Sequence, residues 1–189
     1  MQRPVIELSL SHRLSAFRFP LSALMLMLVY LLRHALAGER GDPKYPDDSL
    51  RPLTDEGRRK FRKAAKRLAK RDIRPEIVAT SPYVRCQDTA LILVNALPPG
   101  ARLEPLDQLQ PGADWVHIQR WLAELKEVDE VALVGHAPDV EDLLNAMIGA
   151  SGGAIRFAKG ACACVEFDTP FDPSTGRLRW FVTAKLLGA

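Results

Sequence analysis

The chain has 189 residues, of which 47% are hydrophobic and 26% are charged. This size and composition suit one globular domain with a continuous core and leave little room for a second domain. The formal net charge of +3 is modest, and three cysteines are too few for a disulfide framework. The composition therefore predicts a single-domain protein of a reducing compartment, the cytoplasm.

The N-terminal segment imitates a secretory signal. Arg13 and Arg18 precede an apolar run from Leu21 to Leu32, as basic residues precede the apolar part of a signal peptide. We reject this interpretation because cleavage after the run would remove Arg33 and His34, the first candidate functional residues. The run is also too short to span a membrane comfortably, so no membrane association is expected.

The domain boundary is expected just before the first strand. We predict that residues 1–23 form an N-terminal extension and that a single domain occupies residues 24–189. Met25 and Met27 are both plausible start residues, because the inferred core begins beside them.

The first strand, loop and helix can be predicted from residues 24 to about 70. Residues 24–32 read LMLMLVYLL, which is typical of a strand whose two faces are both covered by helices. Residues 36–53 are rich in glycine and proline and predict a loop or a lid. Thr54 is the predicted N-cap of a helix whose apolar residues recur at helical spacing, so its many basic residues occupy the solvated faces.

A second strand and helix follow. Residues 76–79 predict a short strand, and Ser81 is expected to cap a helix with Pro82 at its first position. This helix is expected to extend to about Ala96, with Arg85 in its first turn or just beyond.

The second half of the chain continues the alternation and ends in two strands. Its predicted elements are a strand at 101–106, a helix at 114–127, a strand at 131–134, a helix from Asp139, and strands at 161–168 and 178–186. Alternating strands and helices predict an α/β fold. We expect a three-layer sandwich with a mostly parallel central sheet flanked by helices and an antiparallel strand near its C-terminal end.

The cysteines near the C-terminus are expected to pack in the core. Cys162 and Cys164 lie in the apolar run ACACVEF, where strand alternation places both on one face of the sheet. Two thiols alone cannot complete a tetrahedral metal site, so we expect neither metal binding nor redox chemistry here.

Polar residues follow the first, second and fourth predicted strands. They are Arg33 and His34, the segment from Ser81 to Arg85, and His136 after Gly135. In open α/β sheets, ligands bind beyond the carboxyl ends of the strands, so these side chains should converge. A lone histidine is usually only a hydrogen-bonding residue, but the joint pattern favours catalysis. His12 and His117 are expected to have no functional role.

Four segments make the pattern specific: LLRHALAGE, RPLTDEG, SPYVRCQDTA and VGHAPDVEDLL. In this order they resemble the motifs of the histidine phosphatase superfamily, whose fold is phosphoglycerate mutase-like. The short length, RPLT and GHAPD are similar to the SixA-type branch. Members of that branch remove phosphate from histidine on phosphotransfer proteins.

The resemblance implies a role for four residues. His34 is the nucleophile, Arg33 and Arg85 bind phosphate, and His136 completes the pocket. A neutral imidazole can attack phosphorus, and the P–N bond formed is labile enough for water to cleave it. No metal or cofactor is implied, because the guanidinium groups and a protonated His136 can balance the phosphoryl charge. The substrate would be a phosphorylated histidine-containing protein or a small phosphate compound.

The region after the third strand departs from the superfamily pattern. Many members carry an acidic proton donor there, whereas this chain reads LEPLDQLQPG. Glu104 and Asp107 are the candidate donors, and absence of a donor is the third possibility. SixA-type members also have no obvious acid at this point, which is tolerable when the leaving group is imidazole.

Other classes of function fit less well. Cysteine-based phosphatases need an arginine six positions after the cysteine, and none of the three cysteines has one; no P-loop motif is present either.

Two alternatives remain. One is a small-metabolite phosphomonoesterase of the same superfamily, and the other is a non-catalytic module whose basic helix, from Arg58 to Arg71, binds an acidic protein. A merely solvated helix face is the simpler explanation of that basic run, and its lack of interleaved aromatic residues argues against nucleic acid. The sequence predicts no oligomeric state.

Overall fold

A computed structural model describes residues 26–153 and 155–189. The predicted extension, residues 1–23, and the start of the first predicted strand at Leu24 and Met25 lie outside the described residues. Among the described residues, no helix is both long enough and apolar enough to cross a membrane.

The described part of the chain contains six strands and four α-helices. Strands β1 to β6 span Leu26–Arg33, Ile77–Thr80, Arg102–Pro105, Glu130–Gly135, Cys162–Asp168 and Arg177–Val182. Helices α1 to α4 span Asp55–Ala69, Val84–Val94, Trp115–Glu124 and Asp139–Met147. Two short 3₁₀ turns lie at Asp48–Leu50 and Asp107–Leu109.

The strands form one sheet in the order β3-β2-β4-β1-β5-β6. The first four strands in this order pair in parallel, whereas β5 pairs antiparallel with both β1 and β6. The carboxyl ends of β1, β2 and β4 therefore meet at one edge of the sheet. The predicted mostly parallel sheet with antiparallel pairing near the C-terminus is confirmed.

Each face of the sheet is covered by two helices. Buried residues of α3 and α4 pack on one face, and those of α1 and α2 pack on the other. Strand β1 contributes to both cores, with Val29 and Leu31 on one side and Tyr30 and Leu32 on the other. This double burial explains its nearly continuous apolar sequence. The fold is the predicted three-layer α/β sandwich.

Several boundaries differ from the sequence-based expectation. Helix α2 begins at Val84, two residues after the predicted first position, and Tyr83 takes the N-cap position without a side-chain hydrogen bond. Ser81 does not cap the helix; its hydroxyl lies 2.9 Å from a ring nitrogen of His136 and accepts a hydrogen bond from the Tyr83 amide. Helix α3 ends at Glu124 and β6 at Val182, each a few residues earlier than predicted.

The prediction that Cys162 and Cys164 pack in the core is confirmed. Cys162 and Cys164 are both buried, both free, and both in the core beneath α1 and α2.

The loop after β1 is held against the start of α1. The amide of Thr54 donates to the Leu36 carbonyl at 3.0 Å, and the Thr54 hydroxyl accepts from the Gly57 amide at 2.9 Å. Thr54 is therefore the N-cap of α1, as predicted. This contact joins the segment directly after His34 to a rigid helix.

We expect Gly57→Ala to lower the free energy of unfolding, although alanine favours helices over glycine by about 1 kcal/mol. A Cβ at position 57 would lie 2.0 Å from the Leu36 carbonyl oxygen, and such overpacking costs about 1–3 kcal/mol. Urea denaturation measures the change. Gly152→Ala is the control, because a Cβ there meets no atom within 4 Å. A Gly57→Ala protein at least as stable as the wild type would contradict this close packing.

Candidate active site

The two candidate histidines are brought together by the pairing of β1 with β4. Arg33 pairs with Gly135 in the parallel register, and the His34 amide donates to the Gly135 carbonyl at 3.0 Å. The next residue on β4 is His136. The centroids of the two imidazole rings lie 5.5 Å apart, with an angle of 63° between the ring planes.

The ring of His34 is oriented by its own backbone. Its Nδ1 lies 2.7 Å from the Ala35 carbonyl oxygen. A carbonyl oxygen can only accept, so Nδ1 must carry the proton and Nε2 must present its lone pair. The amide of Ala35 is fixed in turn, because it donates to the Thr89 hydroxyl at 3.0 Å and that hydroxyl donates to the Arg85 carbonyl. The geometry therefore leaves Nε2 as the ring nitrogen with an available lone pair.

Burial sets the charge state of His34. Its side chain is 7% exposed, and burial, together with the nearby positive charge of Arg85, lowers the pKa of His34 to about 3. The ring is therefore neutral at neutral pH, which is the form that a nucleophile requires.

Arg85 is held by the loop that follows β1. It is the second residue of α2, and two of its nitrogens bond to Asp48: Nη1 to the carbonyl oxygen at 2.7 Å and Nη2 to the carboxylate at 3.0 Å. A guanidinium has five N–H donors, so these bonds leave donors for an anion. The Tyr83 ring lies beneath the group, with its centroid 4.8 Å from Cζ of Arg85.

Arg51 completes this arrangement from the same loop. Its Nε donates to the Asp48 carboxylate at 2.8 Å, and its Nη1 donates to the Gly38 carbonyl at 2.7 Å. The hydrogen bond from Arg51, aided by the charge of Arg85, lowers the pKa of Asp48. Asp48 is thus a fixed anion that positions two cations.

Arg33 is held by a different part of the chain. Its Nη1 donates to the Phe157 carbonyl at 2.7 Å, and the Phe157 amide donates to the Glu141 carboxylate on α4 at 3.0 Å. Burial lowers the pKa of Arg33, whereas the nearby Glu141 raises it. An arginine remains a cation after any such shift.

His136 lies in a packed pocket of its own. One ring nitrogen lies 2.9 Å from the Ser81 hydroxyl, the Cys86 sulfur lies 3.5 Å from the same nitrogen, and the Tyr83 ring meets the imidazole at a centroid distance of 5.0 Å. Burial and the positive charge of Arg85 lower the pKa of His136 to about 4. The ring is therefore neutral unless a bound anion adds negative charge. The protonated His136 expected from the sequence requires such an anion.

All four predicted residues line one cavity of about 720 Å³. It is also lined by Arg40, Arg51 and Lys159, and by the carboxylates Glu39, Asp48 and Asp139. Five cations thus face three carboxylates around two neutral histidines. The cavity carries a net positive charge and suits an anion.

The two candidate proton donors do not reach this cavity. Glu104 lies on edge strand β3, where its carboxylate pairs with Arg102, and Asp107 accepts from the Gln110 side chain at 3.2 Å. Neither lines the cavity. Of the carboxyl groups that do, Asp139 is half-buried, and burial raises its pKa although a hydrogen bond from the Gly112 backbone opposes the shift.

Sequence reasoning missed four residues of the site: Asp48, Arg51, Tyr83 and Thr89. The RPLTDEG segment was noted as a motif, but nothing in it indicated that Arg51 would be buried against Asp48. Of the histidines given no role, His117 is exposed on α3, and His12 lies outside the described residues. The described residues contain no group of three or more histidine, cysteine, aspartate or glutamate side chains arranged to hold a metal ion.

The chain also matches a known protein family. Residues 29–111 match the histidine phosphatase superfamily, branch 1. The chain belongs to this superfamily. The resemblance inferred from the four motifs is confirmed, and the superfamily identifies the protein as a phosphatase.

Solved structures of SixA are similar to this histidine phosphatase. The protein histidine phosphatase SixA complexed with tungstate has a TM-score of 0.75 and 26% identity, over 85% of this chain and 99% of that one. SixA from Agrobacterium tumefaciens, assigned as a phosphohistidine phosphatase, has a TM-score of 0.69 and 28% identity, over 83% of this chain and 97% of that one.

Two further proteins are similar to this chain, one in sequence and one in fold. An uncharacterized protein of Picosynechococcus sp. (strain PCC 7002) is 33% identical over 138 residues, which are 70% of this chain and 81% of the relative. A mycobacterial glucosyl-3-phosphoglycerate phosphatase has a TM-score of 0.62 at 15% identity, over 82% of this chain and 97% of that one. The latter shares the fold with this histidine phosphatase.

We expect the buried neutral histidines to make this histidine phosphatase less stable in acid. The pKa values of His34 and His136, about 3 and about 4, lie below that of an unfolded histidine, about 6.5. Between these values the unfolded chain binds more protons, so stability falls as pH falls from about 6.5 toward about 4. His34→Gln should reduce the loss between about pH 7 and about pH 5 by an amount on the order of 1 kcal/mol.

Urea denaturation at the two pH values measures this difference. His117→Gln is the matched control, because His117 is exposed and its loss should leave the pH dependence unchanged. An equal acid effect in wild type and His34→Gln would mean that His34 is not held neutral by burial.

Proposed function

We propose that this chain is a metal-free phosphatase that removes phosphate from phosphohistidine on a phosphotransfer protein, through a covalent intermediate on His34. The main support is the state of His34. Its ring is neutral, its Nδ1 is bound to the Ala35 carbonyl, and its Nε2 has no hydrogen-bond partner among the described residues. It lies in a cavity that Arg33, Arg85 and His136 also line.

In the first step, Nε2 of His34 forms a bond to phosphorus, and the bond from phosphorus to the leaving group breaks. The leaving imidazole, protonated beforehand on its other ring nitrogen, departs with the bonding electron pair as a neutral molecule. The imidazole becomes positively charged, and the Ala35 carbonyl stabilises that charge through the Nδ1–H hydrogen bond. In the second step, water attacks phosphorus, the P–N bond breaks, and inorganic phosphate forms.

The cations around the cavity carry the charge of the phosphoryl group. Arg33 and Arg85 bind its oxygens with forked N–H donors, and Asp48 and the Phe157 carbonyl hold the two guanidinium groups in place. A bound phosphate dianion also favours protonation of His136, which then donates to a phosphoryl oxygen. The transition-state charge is therefore balanced by protein groups.

The choice of phosphohistidine as substrate rests on its leaving group. An imidazole leaves as a neutral molecule once its ring is protonated, so it needs little help from an acid. Glu104 and Asp107, the two donors considered from the sequence, do not line the cavity. The likeness to SixA supports the same choice, and the tungstate bound to one SixA is a phosphate-like oxyanion.

A second candidate is a phosphatase for a small phosphate ester. One observation favours it. Asp139 lines the cavity, and burial raises its pKa; both are properties expected of a general acid. The cavity, at about 720 Å³, also has room for a small phosphorylated metabolite. The two candidates differ in whether Asp139 delivers a proton to the leaving group.

We expect His34→Ala to reduce kcat by more than about 10³-fold, because no other group of the site can replace the nucleophile. His136→Ala should lose about 10²- to 10³-fold and retain measurable turnover, since it removes charge stabilisation alone. An acid-labile, base-stable phosphate should be trapped on the wild type and not on His34→Ala.

Hydrolysis of an aryl phosphate and of a phosphohistidine peptide measures these rates. His117→Ala, an exposed histidine on α3, is the control and should retain full activity. Full activity in His34→Ala would refute the covalent mechanism.

We expect kcat/KM for phosphohistidine and aryl phosphates to exceed that for sugar or glycerate phosphates by about a hundredfold or more, because an alkoxide needs a proton as it leaves. On the phosphohistidine peptide, Asp139→Asn should have little effect. Glu104→Gln and Asp107→Asn are controls outside the cavity, and they should leave kcat/KM unchanged for all of these substrates.

The opposite pattern would replace the proposal. If a sugar phosphate is the best substrate and Asp139→Asn selectively abolishes its hydrolysis, Asp139 is a general acid and the protein is a small-ester phosphatase.

A further inference from the structure

A second concave surface lies between α1 and α2, and it shares no lining residue with the catalytic cavity. It encloses about 240 Å³. We call it the basic groove, and its lining residues are Arg58, Arg62, Lys66, Asp88, Leu91, Ile92, Asn95 and Ala96. The proposed mechanism does not use these residues.

The charges of the basic groove are arranged in a row. Arg58, Arg62 and Lys66 are four residues apart on α1 and therefore share one face of the helix. Arg58 is neutralised by Asp88 across the groove, at 2.6 Å between Nη2 and Oδ2. Arg62 and Lys66 are exposed, and neither forms an ion pair with another residue of the described chain. A partner with carboxylates at one-turn spacing would pair with both without breaking an existing ion pair.

The opposite wall of the basic groove, on α2, has apolar side chains between Asp88 and Asn95. Leu91 on α2 is 49% exposed, and Ile92 beside it is buried. A solvated basic helix face requires no such neighbour. A row of free cations beside an exposed leucine is complementary to a helix with carboxylates on one side and an apolar side chain next to them.

The basic groove begins at the rim of the catalytic cavity. Asp88 follows Arg85 by one turn of α2, a rise of about 5 Å, and Asn95 lies about 15 Å from Arg85 along the same helix. Helix α1 also begins at the rim, because its N-cap Thr54 bonds to Leu36, which lines the cavity. A protein whose phosphohistidine enters the cavity can therefore place an adjacent helix of about two turns along the groove.

The geometry points to the basic groove as the docking site for an acidic amphipathic helix of the phosphorylated protein substrate. This inference rests on the proposed function for the phosphoryl chemistry and adds the means by which a protein is distinguished from a small phosphate. Carboxylates of the docked helix pair with Arg62 and Lys66, and its apolar side chain packs on Leu91.

Two synthetic peptides test the docking site. Both carry the same phosphohistidine segment followed by a helix of about two turns with one leucine; the first has glutamates at one-turn spacing, and the second has glutamines there. Two exposed ion pairs should give the wild type an advantage of about three- to tenfold in kcat/KM for the glutamate peptide at low salt, and the advantage should shrink as salt is added.

A pair of double variants separates the groove from general electrostatics. Arg62→Glu with Lys66→Glu should abolish the preference for the glutamate peptide. Arg59→Glu with Lys63→Glu makes the same charge change at the same spacing on α1, but neither residue lines the groove, so this control should retain the preference. Aryl phosphate hydrolysis should be unchanged in both.

Each other outcome has a definite meaning. Equal use of the two peptides by the wild type, or an equal loss of preference in the two double variants, overturns the docking site while hydrolysis itself supports the proposed function. If the wild type hydrolyses neither peptide nor the aryl phosphate, the proposed function fails. Fluorescence anisotropy of the unphosphorylated glutamate peptide, with both double variants, then still tests the groove. Tighter binding of a single-stranded oligonucleotide than of that peptide would also overturn the inference.

Discussion

The parallel pairing of β1 with β4 is the constraint on which the site depends. Because Arg33 pairs with Gly135, the residues that follow the two strands leave the sheet side by side, and the imidazoles of His34 and His136 lie 5.5 Å apart. Both strands lie in the interior of the sheet, covered by helices on both faces. A one-residue slip in either strand would turn one histidine toward the opposite face of the sheet. The relative position of the two histidines is therefore a consequence of core packing. The groups that hold the arginines in place come from loops.

Burial sets the charge state of the two histidines. Buried among arginines, both histidines are held neutral, with pKa values of about 3 and about 4. For His34 this is the form that the proposed attack on phosphorus requires, and the hydrogen bond to the Ala35 carbonyl leaves the lone pair on Nε2. The same burial opposes protonation of the two histidines in the folded state. The folded protein therefore loses stability as the pH falls. Asp48, in contrast, is held in its charged form. As a fixed anion it holds Arg85 and Arg51 beside the cavity and limits their mutual repulsion.

The sequence allowed the fold and four residues of the site to be predicted because both follow local rules. Apolar runs alternating with amphipathic helices indicate a covered parallel sheet, and residues directly after its strands must gather at one edge. Asp48 could not be assigned in this way. It lies in a short 3₁₀ turn within the loop after β1, and its partner Arg85 is 37 positions away. The start of α2 was misplaced because Ser81-Pro82 has the pattern of a helix N-terminus, whereas the Ser81 hydroxyl interacts with His136 instead. The sequence indicates Asp139 only as the start of α4, because its position in the cavity depends on tertiary packing.

In the proposed mechanism, Nε2 of His34 accepts the phosphoryl group. The most direct measurement is the site and ring position of phosphate on the trapped intermediate, found by peptide mass spectrometry and by ³¹P–¹⁵N correlation on the denatured, ¹⁵N-histidine-labelled protein. We expect one phosphate on His34, at Nε2, because Nδ1 donates a hydrogen bond to the Ala35 carbonyl. Phosphate at Nδ1 of His34, or on His136 or Cys86, would contradict it.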